Sequence, residues 1–233
     1  MFFTRPLSRR KFIALAGSAG AGIIAAGCSS SDKIKEEGTA IELLDRQHGL
    51  LHRSISILEE VRGGMDARMD LPPEIIQGTV DVIRRFVVDF HQKMEDKHLF
   101  PAFDAAKKMG GLIGVLREQH EAGTQLVEVL RQLAAGFSAK DLEKRRTMAS
   151  GIHKLSRMYR AHADREDTVL FPVFRQVVTP KAYDLVNAEV RKAEVQAGGM
   201  SAYEEAVQKL SGYENMLGIG DLSAFTLHLD GVN

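Results

Sequence analysis

From residue 41 onward, apolar residues recur at three- and four-residue intervals, the spacing that lines one face of a helix. Ile41, Leu44, Leu51, Ile55 and Leu58 mark a first helix. The Thr39-Ala40-Ile41-Glu42 capping box opens it, and Gly63-Gly64 is expected to stop it after Arg62. Ile75, Ile76, Val80, Ile83, Phe86, Val87 and Phe90 mark a second, entered through Pro72-Pro73. Pro101 lacks a backbone donor, which predicts a kink or break after Phe100 and a short continuation to Met109. Gly110-Gly111 is read as the turn into a third helix, carried by Leu112, Val115, Leu116, Leu126, Val127 and Leu130 and ending near Gly136. Ser138, with Asp141 three residues later, opens a fourth through Ile152, Leu155, Met158 and Tyr159. Thr179-Pro180 starts a fifth to about Gln196, and Ser201 to Glu204 a sixth whose Val207, Leu210 and Met216 should pack outward helices onto the rest. No stretch alternates as a strand does. The expected fold is all-α: an up-down-up-down antiparallel four-helix bundle over 39–177, with a C-terminal helical extension over 178–233 packed on it.

Histidines and glutamates interrupt these apolar faces in register with them. His91 falls on the face of Val80, Phe86-Val87 and Leu99, and His162 on that of Leu155 and Tyr159. Each precedes a glutamate, Glu95 or Glu166, by four positions, so the pair shares one helix face about 6 Å apart along the axis. The surroundings repeat: FHQKMEDKHLFPAF at 90–103 is echoed by AHADREDTVLFPVF at 161–174. His91, Glu95 and Leu99-Phe100-Pro101 map to His162, Glu166 and Leu170-Phe171-Pro172 at a shift of 71, and His48 maps to His120 at a shift of 72. Each half is therefore a helix hairpin with one lone histidine and one histidine–glutamate pair. Two buried glutamates with no cation would cost several kcal/mol or become protonated. Two hairpins related by a pseudo-twofold axis would bring all six side chains into one core, which makes two equivalent metal positions the natural count.

The first 27 residues carry a different message. A basic patch, an apolar run and small residues before a cysteine form the architecture of an export signal. Ser8-Arg9-Arg10-Lys11-Phe12-Ile13 resembles a bacterial twin-arginine signal, with Ala14 where lysine is usual. Ala25-Ala26-Gly27-Cys28 resembles a lipoprotein processing site, which makes Cys28 the expected lipidation position and 28–38 a tether. The protein is expected at the periplasmic face or cell envelope, held to the membrane by a lipid on Cys28. Charge is balanced at 31 basic against 31 acidic residues, and four of the basic ones precede Cys28. No basic stripe or aromatic platform remains to argue for nucleic acid. A single cysteine excludes an internal disulfide, an iron–sulfur cluster or a cysteine-based zinc site within one chain.

Lone histidine, His-x-x-x-Glu, lone histidine, His-x-x-x-Glu, with Leu-Phe-Pro after each pair, resembles the hemerythrin-like (HHE) cation-binding domains. The resemblance runs from about residue 40 to the C-terminus. It implies a four-helix bundle around two iron ions joined by an oxo or hydroxo bridge. His48, His91, His120 and His162 would be terminal ligands, and Glu95 and Glu166 would bridge. Oxygen-carrying hemerythrins have a fifth histidine one turn after the lone histidine of the third helix, where this chain has Thr124. Its repeat counterpart, His52, is the candidate substitute. His98 is read as packing or an outer neighbour of the site, His153 as solvated, and His228 as part of the tail. Asp96 and Asp167, about 100° round the helix from the glutamates, could orient ligands or meet water. Tyr159 is a core residue that could donate to a bound oxygen species.

Ligand type narrows the chemistry. Ferritin-like di-iron carboxylate proteins use four carboxylates and Glu-x-x-His pairs. Here four histidines meet two carboxylates at i, i+4 spacing, which favours reversible oxygen binding over oxygen cleavage. The expectation is a non-enzymatic protein that binds, senses or buffers O2 or nitric oxide. The alternative is an enzyme at the same site: a peroxidase, nitric oxide reductase or iron oxidase.

Overall fold

The computed structural model describes residues 38–67, 72–138 and 140–226. The export-signal and lipidation readings and His228 lie outside these residues. Among the described residues the chain is helical throughout, apart from turns and short connections. Helix α1 is Ala40–Asp66. Helix α2 is a continuous rod over 73–105, beginning at Pro73 and ending at Ala105. Helix α3 is Gly110–Ala135, and α4 is a second continuous rod over 142–177. Pro180–Gln196 and Gly199–Met216 form α5 and α6, followed by a single 3₁₀ turn at Leu222–Phe225.

The capping box at Thr39 is formed in full, with Glu42 N–H donating to Thr39 Oγ1 at 3.2 Å and Thr39 N–H to Glu42 Oε2 at 2.6 Å. Several boundaries differ from the sequence reading. Helix α1 runs through Gly63-Gly64 to Asp66, because Gly64 and Met65 are buried and the Met65 carbonyl accepts from the buried Arg145. Packing and this hydrogen bond outweigh the helix-breaking tendency of glycine. Gly110 and Gly111 are the first residues of α3, and the turn before them uses Lys107 and Met109 at φ 54° and 56°. Asp141, not Ser138, caps α4, accepting from Lys144 N–H at 3.0 Å. Helix α6 starts at Gly199, two residues ahead of Ser201. Val115 and Met216, assigned to apolar faces, are exposed.

Pro101 does not break α2. The strain is absorbed one turn earlier, where Glu95–Leu99 is π-helical and Phe100 N–H donates to the Glu95 carbonyl five residues back. The repeat does the same: Glu166–Leu170 is π-helical, with Phe171 N–H donating to the Glu166 carbonyl ahead of Pro172. A wider turn frees the carbonyl that a proline ring would otherwise strike. Both wide turns begin at the glutamates of the His-x-x-x-Glu pairs. A third π-helical stretch, Ile83–His91, brings α2 to the first of those histidines.

The four long helices bury two separate apolar clusters. One gathers Ile55, Leu58, Val80, Leu130 and Leu155, and α6 extends it with Ala202, Ala206 and Leu210. The other gathers Leu44, Phe100, Phe103, Leu116 and Phe174, and α5 extends it with Val186 and Val190. Polar side chains separate them. Helix α1 is gripped by both appended helices: Asn187 accepts the Ala40 N–H at 2.8 Å, Arg46 pairs with Glu194, and Arg53 donates to Glu214 at 2.8 Å.

A buried histidine–glutamate centre

The polar layer between the two clusters contains His48 of α1, His91 and Glu95 of α2, His120 of α3, and His162 and Glu166 of α4. All six are buried, and both glutamates are 0% exposed. Glu95 Oε2 lies 3.3 Å from both His91 Nε2 and His120 Nε2. Glu166 Oε2 lies 3.3 Å from His48 Nε2 and 3.7 Å from His91 Nε2, while its Oε1 is 2.9 Å from His162 Nε2. Glu95 thus stands between histidines of two helices, and Glu166 among histidines of three. Ligand atoms converge in two groups that share Glu166, each within 4.8 Å: His48, His91 and Glu166, and Glu95, His120, His162 and Glu166.

The outer nitrogens are held as carefully. His48 Nδ1 is 2.7 Å from Asp167, His120 Nδ1 is 3.1 Å from Asp96, and His162 Nδ1 is 2.9 Å from Gln119 Oε1. Asp96 and Asp167 therefore orient ring nitrogens. Gln119 was not singled out from the sequence, although its place just before His120, repeated as Gln47 before His48, could have marked it. The Leu-Phe-Pro motif gains a purpose too. Phe171 stacks on His48 at 5.7 Å between ring centroids, and Phe100 on His120 at 5.3 Å. Each lone histidine is thus backed by a ring and an aspartate from the opposite hairpin.

Burial opposes protonation of these imidazoles, but the carboxylates outweigh it. Glu95 and Glu166 push the His91 pKa up to about 9, and Asp96 and Glu95 push His120 up to about 9. His48 is also raised, since Asp167 and Glu166 overcome burial and the neighbouring His91. Burial would raise the Glu166 carboxyl, yet His162, His48 and His91 hold it well below the usual carboxylate range.

Inward-facing atoms remain without hydrogen-bond partners: Nε2 of His91, His120 and His162, and both carboxylate oxygens of Glu95 and Glu166. Buried polar atoms are seldom left this way. Imidazole nitrogens and carboxylate oxygens converging at this spacing are the donor set of a divalent first-row metal. The residues fit a cation. Residues 39–174 match the family model of the hemerythrin HHE cation-binding domain. The chain belongs to that family.

The HHE match ends at 174, short of the C-terminus to which the sequence resemblance was extended, so α5 and α6 lie outside it. Relatives nevertheless span most of the chain. The uncharacterized protein Rv1995 of Mycobacterium tuberculosis is 30% identical, over 94% of this chain and 91% of its own length. The uncharacterized protein Mb2018 of Mycobacterium bovis matches to the same extent. No solved structure matches the chain.

The remaining candidates are less central. His52 is half-buried, with its ring centroid 6.5 Å from that of His48, and belongs to neither convergent group. His98 is half-buried outside the centre and His153 is exposed. Tyr159 is fully buried, edge-on to His162 at 6.1 Å, and its hydroxyl accepts from Gln92 Nε2 at 3.1 Å. Thr124, at the fifth-histidine position, donates to the His120 carbonyl at 2.8 Å, which turns its hydroxyl back onto its own helix.

Proposed function

We propose that the chain is a di-iron protein of the cell envelope that binds O2, or senses or buffers O2 or nitric oxide. The observation that carries this reading is the set of unpartnered Nε2 and carboxylate oxygen atoms, rich in imidazole and limited to two carboxylates. His48 and His91 would hold one iron, His120 and His162 the other, with Glu95 and Glu166 bridging and His52 a candidate fifth nitrogen. Two irons there would supply a redox-active pair able to bind a small diatomic ligand. The chain's own part is to present neutral imidazoles in fixed orientation, through Asp96, Asp167 and Gln119, and to keep bulk water out with Phe100 and Phe171. Short connections, and the packing of α1 and α3 each against both α2 and α4, support an up-down-up-down antiparallel bundle over 39–177. Export by the twin-arginine route and anchoring through Cys28 rest on the sequence of the first 28 residues.

One observation favours the enzymatic alternative. A groove of about 710 Å³ between α2 and α3 reaches His120, Gln92 and Thr124, and Gln92 touches the Tyr159 hydroxyl behind it. Such a route could admit a substrate larger than a diatomic. Spectra of iron-loaded protein decide between the two. A band that appears with O2 or nitric oxide and vanishes on its removal, at about two irons per chain, supports the binding protein. Repeated turnover of added peroxide supports the enzyme, and protein that retains no iron refutes both. His52→Ala with unchanged iron content and spectrum would remove His52 from the ligand set.

A further inference from the structure

The internal repeat pairs Gln47 with Gln119 at the shift of 72, and His91 with His162 at the shift of 71. Gln119 Oε1 meets His162 Nδ1 at 2.9 Å. The same contact in the other hairpin is open: Gln47 Oε1 and His91 Nδ1 are both buried, and neither has a hydrogen-bond partner. Gln47 is only 4% exposed and shares the lining of a cavity of about 20 Å³ with Phe86 and Phe90, which precede His91 on α2. Gln47 therefore lies beside the stretch of α2 that carries His91, with free space next to it.

We propose that Gln47 is a positioning residue for His91, its carboxamide oxygen accepting the His91 Nδ1 proton when a cation occupies Nε2. An imidazole that ligates through Nε2 carries its proton on Nδ1, and a buried proton of that kind needs an acceptor. The other three imidazoles have theirs, in Asp167, Asp96 and Gln119. His91 is the exception, and Gln47 offers a buried oxygen with no donor. Pairing them satisfies both atoms. It also completes a rule for the centre: the two lone histidines answer to aspartates, and the two histidines of the His-x-x-x-Glu pairs answer to glutamines. The second kind of acceptor is uncharged, so it fixes the tautomer without adding negative charge.

The inference rests on the metal reading above but not on the identity of the small ligand. The test uses the full chain with ferrous iron under anaerobic conditions, and with zinc as a diamagnetic probe for nitrogen NMR. Gln47→Leu and Gln119→Leu should each weaken one of two iron equivalents by roughly 10–100-fold, and Gln47→Glu should restore the first. In the zinc-loaded wild type, the His91 Nδ1 proton should exchange slowly with water, a readout that stands even if a variant fails to fold. Loss of affinity in Gln119→Leu alone, with the Gln47→Leu protein binding normally, would overturn the proposal. So would rapid exchange of the His91 Nδ1 proton in the zinc-loaded wild type. Wild-type protein that binds neither ion would overturn the metal reading itself, and this role with it.

Discussion

Loading the centre with metal should expel protons, and the number is set by the buried histidines. In the metal-free chain, His91 and His120 are raised from 6.5 to about 9 by the carboxylates that face them. At about 1.4 kcal/mol per unit, each shift corresponds to about 3 kcal/mol favouring the imidazolium. Both rings therefore favour the charged form at pH 7. A cation must take the Nε2 positions that those protons hold. Iron binding at pH 7 should release about two protons per fully loaded chain from His91 and His120, with any proton on the likewise raised His48 adding to them, and the number should fall toward zero above pH 9. Overall affinity should rise by roughly 100-fold per pH unit between 7 and 9, tenfold for each proton displaced. Anaerobic calorimetric titration with ferrous iron, in buffers of different ionisation enthalpy, counts the protons directly. Affinity that is flat from pH 7 to 9, with no buffer dependence, would refute the argument. The same shifts govern the metal-free protein. A histidine pKa raised on folding stabilises the fold fully below 6.5, and the gain is lost as pH rises through about 9. The metal-free melting temperature should accordingly fall across that window, and metal should restore it.

Other outcomes follow from single contacts. Asp96→Asn and Asp167→Asn alter the acceptor on His120 and His48 with little change in side-chain size, so iron affinity should drop by about 10–100-fold, measured by chelator competition. A Cβ on Gly123 would strike the Tyr159 hydroxyl and lie 2.8 Å from its Cζ, on a ring that is fully buried and unable to retreat. Gly123→Ala should therefore destabilise by about 1 kcal/mol or more in chemical denaturation, since overpacking of 1–3 kcal/mol exceeds the helix-propensity gain. Asn187→Leu removes the acceptor of a buried Ala40 N–H and should cost about 1–3 kcal/mol by the same assay, whereas an unchanged midpoint would show that water replaces it.

The centre was legible in the sequence because it is written twice. Six charged or polar residues on apolar faces, at matching shifts, left little freedom in where a helical chain could put them, and all six converge. Asp96 and Asp167 were readable as neighbours by the same repetition. Helix ends were read less well, since the competing forces there come from outside the helix. Gly63-Gly64 fails to stop α1 because Arg145, some eighty residues later, holds the Met65 carbonyl. The wide turns at Glu95 and Glu166 have no composition signal of their own; only a proline six residues on betrays the need for one. Gln119 and Asn187 carried no apparent chemistry as single residues. Their meaning depends on which buried atom they meet.

The crossed support of the lone histidines bears on when the centre can exist during synthesis. His48 is backed by Asp167 and Phe171, and its convergent group includes Glu166, all from the last long helix. The first hairpin alone contains His48, His91 and Glu95 but none of these. A nascent chain that has emerged only as far as α3 therefore offers no finished pocket, and metal capture waits for α4. A cation held by His48, His91 and Glu166 would tie the earliest long helix to the latest. A retained metal complement thus reports that the whole bundle was made, and a chain cut short within it cannot counterfeit that signal.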